Sequence, residues 1–107
     1  MAAAAEQAAA EPAAPAMSPI VLAGVVRMIE VLERGASVAD VGCGYGSSTL
    51  LMATAFPKSD FIGIDFHAPS IEHAREHARG LANVRFMTAR AQDFVGAGFD
   101  LVTIFDA

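Results

Sequence analysis

The sequence predicts an α/β fold built around a parallel sheet. Short apolar runs alternate with helical patterns, the first two runs end in glycine or aspartate, and glycines at alternate positions separate the first run from a helix. Single helices between strands produce βαβ units with right-handed crossovers. In such sheets, ligands bind beyond the carboxyl ends of the strands, where the strand order reverses. The first strand is therefore expected to flank a binding site.

The helix and strand boundaries follow from the same patterns. Ser18 and Pro19 predict a helix start, and Arg34 followed by Gly35 predicts its end. The apolar residues between them predict a face that lies against the sheet: Ile20, Val21, Gly24, Val25, Met28, Ile29 and Leu32. Further helices are predicted over residues 47–56 and 69–80, and strands over residues 38–41, 61–64, 84–87 and 99–105.

Composition limits the size and the partners of the protein. Residues 1–16 are alanine-rich and predict a low-complexity tail, so residues 17–107 are expected to form one small domain. The net charge of −5, with no cluster of lysine or arginine, gives no electrostatic footprint for nucleic acid. No apolar run approaches the roughly 20 residues of a membrane-spanning helix. The lone Cys43 fits a reducing compartment, so we expect a cytoplasmic protein without a membrane partner.

The run VADVGCGYGSST, residues 38–49, carries the main binding signal. Gly42, Gly44 and Gly46 let the backbone turn sharply and let a ligand approach without meeting a β-carbon. A dinucleotide fingerprint would need glycine at position 47, where the chain has serine. Asp40, near the strand end, would repel a pyrophosphate and suits an ammonium group. The charge balance therefore favours S-adenosyl-L-methionine over NAD.

A second acidic residue ends the next strand. Asp65 follows the glycine loop by about 20 residues, the spacing of ribose recognition, and its carboxylate accepts hydrogen bonds from both ribose hydroxyls. Phe66 is expected to pack on the adenine face. Each aspartate has a plainer explanation on its own: Asp40 caps the following backbone amides, or Asp65 is a turn residue.

The run VADVGCGYGSSTLLMATAFPKSDFIGIDFHAPSIEHARE resembles the first two motifs of class I S-adenosylmethionine-dependent methyltransferases. The resemblance extends over residues 37–107. It implies a Rossmann-like three-layer sandwich with a parallel sheet, here truncated after the fourth strand, and S-adenosyl-L-methionine as the cofactor. We therefore expect a fragment that carries the cofactor-binding half of an enzyme whose methyl acceptor stays unassigned.

The resemblance also implies roles for individual positions. The loop on the methionine side is matched by Asp40, Gly42, Cys43 and Gly44. The segment that borders adenine is matched by Ala91, Gln92, Asp93 and Phe94. Asp65 matches the ribose-binding acid, and Asp106 matches a position near the methionine moiety. Arg90 departs from the pattern, since many members have an acidic residue there.

No catalytic base and no metal ligand is assigned. Cys43 has no neighbouring base in the sequence and is interpreted as a packed side chain. His73 and His77 stand four residues apart on one helix, but the charged residues between them favour a solvated helix face. Tyr45 is interpreted either as a contact for the methionine carboxylate or as an exposed loop aromatic.

Two expectations concern the fourth strand and the missing acceptor wall. Apolar residues of the fourth strand are expected at an uncovered sheet edge, which leads to aggregation, dimerisation through that edge or loose folding. Methyl transfer needs an aligned acceptor, so the isolated chain is expected to be inactive. The alternatives are a non-catalytic cofactor-binding or interaction module and, less favoured, an NAD-dependent oxidoreductase.

Overall fold

The computed structural model of the chain describes residues 18–93 and 98–105. Three helices lie within these residues: α1 (Pro19–Arg34), α2 (Ser47–Ala55) and α3 (Ala68–His77). They alternate with strands β1 (Ser37–Val41), β2 (Asp60–Asp65), β3 (Val84–Thr88) and β4 (Leu101–Ile104). The strands form one parallel sheet in the order β3-β2-β1-β4. The strand order reverses at β1, and the predicted α/β, Rossmann-like class is confirmed.

Local capping explains the bounds of α1. The Ser18 hydroxyl accepts a hydrogen bond from the Val21 amide at 3.2 Å, and proline occupies the first helical position. Gly35, with a φ of 120°, ends the helix. Ser59 then fastens this end, because its hydroxyl donates to the Leu32 carbonyl at 2.6 Å and accepts from the Ala36 amide at 2.9 Å.

The helices cover one face of the sheet. Leu32 of α1 and Ala53 of α2 pack with Val38 and Phe61 of the central strands. A second cluster joins α3 to the glycine loop and to β3 through Cys43, Ile71, Ala74 and Phe86. These two clusters hold the loop and the helices against the same side of the sheet.

No helix among the described residues packs on the opposite face of the sheet. Ala39, Ile62 and Ile64 are buried there, and Ala89 and Phe99 pack against them. The described residues therefore supply the sheet and one helical layer of the three-layer arrangement. Within the same ranges no helix has the length and apolar character needed to cross a bilayer.

The prediction that the apolar face of α1 lies against the sheet was wrong for most of its residues. Leu32 is buried, but Ile20 is 85% exposed, Val21 53%, Met28 40% and Ile29 38%. Helical spacing reports that one side of a helix is apolar and says nothing about what covers it. The core cluster that contains Leu32 adjoins only the last turns of α1.

Two predicted boundaries also differ from the structure by more than one residue. Helix α3 ends at His77 instead of Gly80, because the Ala78 amide bonds both the Ala74 and Arg75 carbonyls and tightens the last turn. Strand β4 is shorter than residues 99–105, since its pairing with β1 extends only from Leu101 to Ile104. Helical and strand patterns continue beyond the hydrogen bonds that define an element.

Candidate functional site

The glycine loop follows β1 at the carboxyl edge of the sheet. Gly42, Gly44 and Gly46 have φ values of 71°, 56° and 83°, which are conformations that favour glycine. The amides of Gly42 and Cys43 both donate to the Ile64 carbonyl, at 2.7 Å and 3.0 Å. The loop is therefore tied to the end of β2, and the alternate glycines serve the sharp turn that the sequence predicts.

Two of these glycines border open space. A methyl group on Gly42 or Gly44 would meet no heavy atom within 4 Å, apart from the adjoining chain. This part of the loop thus leaves room beside the backbone for a ligand.

Asp40 lies directly beneath the loop with only 1% of its surface exposed. One carboxylate oxygen, Oδ2, accepts hydrogen bonds from the Ser48 hydroxyl at 2.8 Å and the Thr49 hydroxyl at 2.6 Å. The other, Oδ1, accepts from the Thr103 hydroxyl at 3.0 Å. All three donors are neutral hydroxyl groups, so both oxygens of this buried carboxylate are satisfied by groups that carry no charge.

The donors of Asp40 are residues that the sequence reasoning missed. That reasoning considered Asp40 as a cap for backbone amides, whereas its described donors are side chains of α2 and β4. The serine and threonine residues directly after the glycines were a usable signal, since hydroxyl groups in the first turn of α2 can reach back to β1. Thr103 carried no such signal, because its position depends on strand pairing.

Asp65 joins the loop to the end of β2. Its Oδ2 atom accepts from the Gly44 amide at 2.9 Å and its Oδ1 atom from the His67 amide at 2.9 Å. Its own carbonyl accepts from the Ala89 amide at 3.0 Å. The structure therefore brings the glycine loop, the strand-end acid and the start of the segment after β3 together at one edge.

Comparison with known proteins identifies the family. Residues 32–107 match the methyltransferase domain family, which is more than half of the chain. The chain belongs to this family. The resemblance described from the glycine loop and Asp65 is confirmed.

Individual relatives differ in their named acceptors. The tRNA (guanine-N(7)-)-methyltransferase of Chromohalobacter salexigens is 44% identical over 55 residues, covering 50% of this chain and 22% of that protein. Trans-aconitate 2-methyltransferase of Afipia carboxidovorans is 39% identical over 66 residues, covering 61% of this chain and 25% of that protein. The chain thus spans about a quarter of the length of these relatives.

A solved structure has the same arrangement of elements. PKMT2 from Rickettsia typhi, solved in complex with AdoHcy, superposes with a TM-score of 0.62 at 29% identity. The match covers 69% of this chain and 15% of that protein.

Among the remaining predicted positions of this methyltransferase domain, those that the structure describes follow β2 and β3. Phe66, beside Asp65, is 76% exposed. Ala91, Gln92 and Asp93 form an exposed turn after β3, in which the Asp93 amide donates to the Arg90 carbonyl at 3.1 Å. The other two predicted positions, Phe94 and Asp106, lie outside the described residues.

Cys43 of the methyltransferase domain is buried in the loop and packs with Ile71, Ala74 and Phe86. Burial of the thiol, together with the nearby carboxylates of Asp40 and Asp65, raises its pKa to about 12. A thiol with such a pKa stays protonated at neutral pH and is a poor nucleophile. These features support the interpretation of Cys43 as a packed side chain.

Tyr45 points away from the core and is 62% exposed. Its ring lies 4.6 Å from that of His73, which lies 4.3 Å from the ring of His77. This exposed row of rings agrees with a solvated face of α3. No group of three or more metal-ligating side chains occurs within residues 18–93 and 98–105 of the methyltransferase domain.

Proposed function

We propose that the chain forms the cofactor-binding half of an S-adenosyl-L-methionine-dependent methyltransferase. The observation that carries the proposal is the buried carboxylate of Asp40 beneath a glycine loop with open space beside it. Family membership and the AdoHcy in the structure of the Rickettsia typhi relative support the choice of cofactor. Residues 17–107 would form the partial methyltransferase domain, and residues 1–16 the tail.

The charge of Asp40 favours a cationic ligand. Neutral hydroxyls donate to both oxygens of the Asp40 carboxylate and bring no positive charge of their own, and charges in a site of low dielectric act over longer distances than in water. The α-ammonium and sulfonium groups of S-adenosyl-L-methionine would compensate this charge, and the pyrophosphate of NAD would oppose it. Because Asp40 is almost fully buried, we propose that it acts through the loop of Gly42, Cys43 and Gly44, whose amides and open side receive the methionine part.

Asp65 supplies the second anchor. Each of its carboxylate oxygens accepts one backbone hydrogen bond and retains capacity for another. We propose that the remaining capacity accepts the two ribose hydroxyls, which fixes the nucleoside relative to the glycine loop. The bond from the Gly44 amide orients the carboxylate before any ligand arrives.

The adenine end is proposed to lie between two exposed segments. Phe66 extends from the end of β2 and offers an aromatic face. The turn that begins with Ala91 follows β3, which pairs with β2 on its other side. We propose that Ala91, Gln92, Asp93 and Phe94 border the adenine ring and that Asp106 lies near the methionine moiety.

Methyl transfer is proposed to depend on how the methyl donor is oriented, more than on an acidic or basic side chain. The bound cofactor supplies an electrophilic methyl group, and transfer to an acceptor proceeds in line with the bond that breaks. The residues of this chain hold and orient the donor, and no side chain is assigned as a catalytic base. An acceptor wall is needed for alignment. We therefore propose that the chain by itself binds the cofactor and transfers no methyl group to an acceptor.

Two finer proposals concern location and association. The single cysteine of the chain is buried and has no disulfide, which fits a cytoplasmic location. Strand β4 lies at the edge of the described sheet, with Val102 55% exposed and Ile104 74% exposed. We propose self-association through this edge, because unpaired strands with apolar side chains pair with other strands.

Calorimetric titration of the full chain tests the proposal. S-adenosylhomocysteine is expected to bind and NAD to give no heat. Asp65→Asn is expected to lower the affinity for S-adenosylhomocysteine by about tenfold or more, because it weakens hydrogen bonds to a charged acceptor. The matched control is Asp60→Asn, since Asp60 lies exposed at the other end of the same strand. Tight binding of NAD with no response to S-adenosylhomocysteine would overturn the assignment.

A methyl-transfer assay separates the two remaining functional classes. If the chain binds S-adenosylhomocysteine and, together with the segments present in full-length relatives, still modifies no acceptor, a non-catalytic cofactor-binding module is the better description. Transfer that depends on Asp65 supports the enzyme.

A further inference from the structure

The Phe86 ring lies against the backbone of two glycines. A methyl group on Gly63 would lie 2.5 Å from the Cδ1 and Cε1 atoms of this ring, and one on Gly46 would lie 2.7 Å from Cε1 and Cζ. Carbon atoms in contact normally stand about 3.5–4.0 Å apart. One edge of the ring therefore occupies the space in which both glycines would carry a side chain.

The ring has little freedom to move aside. Phe86 is 6% exposed and packs with Cys43, Ile71 and Ala74. The guanidinium of Arg75 donates to the Phe86 carbonyl at 2.9 Å, which fixes β3 to α3 at this position. The ring is thus held from the helix side while its edge faces the loop.

The glycines of the site therefore fall into two classes. Gly42 and Gly44 border open space, where a ligand fits. Gly46 and Gly63 border the Phe86 ring, so the ring and not a ligand excludes their side chains. Gly63 lies inside β2 and its φ is not positive, which leaves close approach of the ring as the reason for glycine there.

Phe86 also links the two anchors of the site. Gly46 is the last residue of the loop before α2, and Gly63 precedes Asp65 on β2. The ring lies against both, and the Cys43 sulfur lies 3.0 Å from the position of a Gly63 methyl group. The Phe86 side chain therefore adjoins both the end of the loop and the strand that carries Asp65.

We propose that Phe86 is a positioning residue that sets the height of the glycine loop above β2. Its ring holds the loop where the Gly44 amide reaches the Asp65 carboxylate and the Gly42 amide reaches the Ile64 carbonyl. The effect on ligand affinity rests on the proposed cofactor function, whereas the effect on the loop does not.

A double-mutant cycle tests the proposal on the full chain. Gly63→Ala is expected to lower the affinity for S-adenosylhomocysteine by about tenfold or more, because the added methyl group pushes the ring and the loop apart. Phe86→Leu removes the ring edge and makes room for that methyl group. The double variant is therefore expected to bind more tightly than Gly63→Ala alone. If the ring did not position the loop, the fold-changes in affinity caused by Gly63→Ala and by Phe86→Leu would multiply in the double variant.

A readout without ligand keeps the proposal independent of the cofactor. In the ligand-free protein, Phe86→Leu is expected to speed hydrogen exchange at the amides of Gly42, Cys43 and Gly44 by about tenfold relative to the amides of β1. The matched control is Phe61→Leu, which alters the other core cluster of the same sheet face. It is expected to leave this ratio unchanged.

The outcomes separate this proposal from the proposed function. Faster loop exchange in Phe86→Leu supports the positioning role even if no adenosyl ligand binds, and in that case only the cofactor function fails. Unchanged loop exchange together with independent effects in the binding cycle overturns the positioning role, even if S-adenosylhomocysteine binds well.

Discussion

Two regions of the molecule differ in how completely their side chains are paired or buried. One is the carboxyl edge of the sheet at β1 and β2, and the other is formed by β4 and α1. At the first, Asp40 is buried with three hydroxyl donors, and both oxygens of Asp65 accept backbone hydrogen bonds. Within the described part of the chain, no buried side-chain nitrogen or oxygen atom lacks a partner. At the second, apolar side chains such as Ile20 and Ile104 are 85% and 74% exposed.

The glycine loop depends on residues near it in the sequence, whereas burial of α1 and β4 would depend on other parts of the protein packing over them. The glycine loop is completed by contacts with the next strand along the chain, so it is assembled within the described residues. Helix α1 and strand β4 leave a groove of about 310 Å³ between them, with Met28, Val31 and Leu101 among its lining residues. Exposed apolar surface beside an unpaired strand edge is a frequent site of protein–protein contact.

The largest expected effect comes from breaking the packed region. Phe61 is 2% exposed in the cluster that joins α1 and α2 to the sheet. Phe61→Ala is expected to lower the free energy of unfolding by roughly 3–5 kcal/mol, because a buried aromatic side chain is lost and a cavity remains. Urea denaturation followed by circular dichroism measures this. A loss below about 1 kcal/mol would mean that the sheet face is not packed as described.

The next effect concerns the thiol of Cys43 in the glycine loop. Because burial and the two carboxylates raise the pKa of Cys43 to about 12, its thiolate is scarce at neutral pH. Alkylation by iodoacetamide at pH 8 is expected to be at least ~100-fold slower than in the urea-unfolded chain, and its rate should keep rising beyond pH 10. A rate that reaches a plateau near pH 9 would contradict the buried position beside Asp40 and Asp65.

A smaller effect is expected where α2 ends and the chain leads into β2. The Asn83 side-chain amide donates to the carbonyls of Ala53, Phe56 and Ser59, at 2.9 Å, 3.2 Å and 3.0 Å. Asn83→Ala is expected to cost about 1–3 kcal/mol of unfolding free energy, since these carbonyls lose their donor. Asn83→Asp, which keeps the shape and removes the donor, should destabilise at least as much. Equal stability of the wild type and both variants would contradict this role.

The smallest change in stability is expected at the exposed edge. Ile104→Lys is expected to alter the unfolding free energy by less than about 0.5 kcal/mol, because Ile104 makes little contact within the described chain. The same change should lower self-association in sedimentation velocity, since a charge on an edge strand opposes pairing. Association that is unaffected by Ile104→Lys and by Val102→Lys would remove β4 as the contact surface.

The sequence was sufficient for features that depend on neighbours along the chain. The turn at Gly42, Gly44 and Gly46 and the acid at the end of β2 follow from residue types and their spacing along the chain. Among the hydroxyl donors of Asp40, Thr103 could not be predicted, because it stands 63 residues away and meets Asp40 only through strand pairing.

Two further features depend on tertiary packing: the exposure of α1 and the contact of Phe86 with two glycines. The exposure of α1 could not be deduced from its apolar spacing, which is equally compatible with a covered and an uncovered face. The contact of Phe86 with two glycines depends on a ring from β3 that crosses to the loop of β1. Gly63, a glycine inside a strand, was the one available sign of a close approach.

We propose that the buried carboxylate of Asp40 selects a ligand whose amino-acid end carries an ammonium group. The most direct measurement compares calorimetric affinities of S-adenosylhomocysteine and 5′-methylthioadenosine, which lacks that end, in the wild type and in Asp40→Asn. The account predicts that the substitution lowers the affinity for S-adenosylhomocysteine by about tenfold or more and that for 5′-methylthioadenosine much less. Equal losses for the two ligands, or no loss for either, would contradict it.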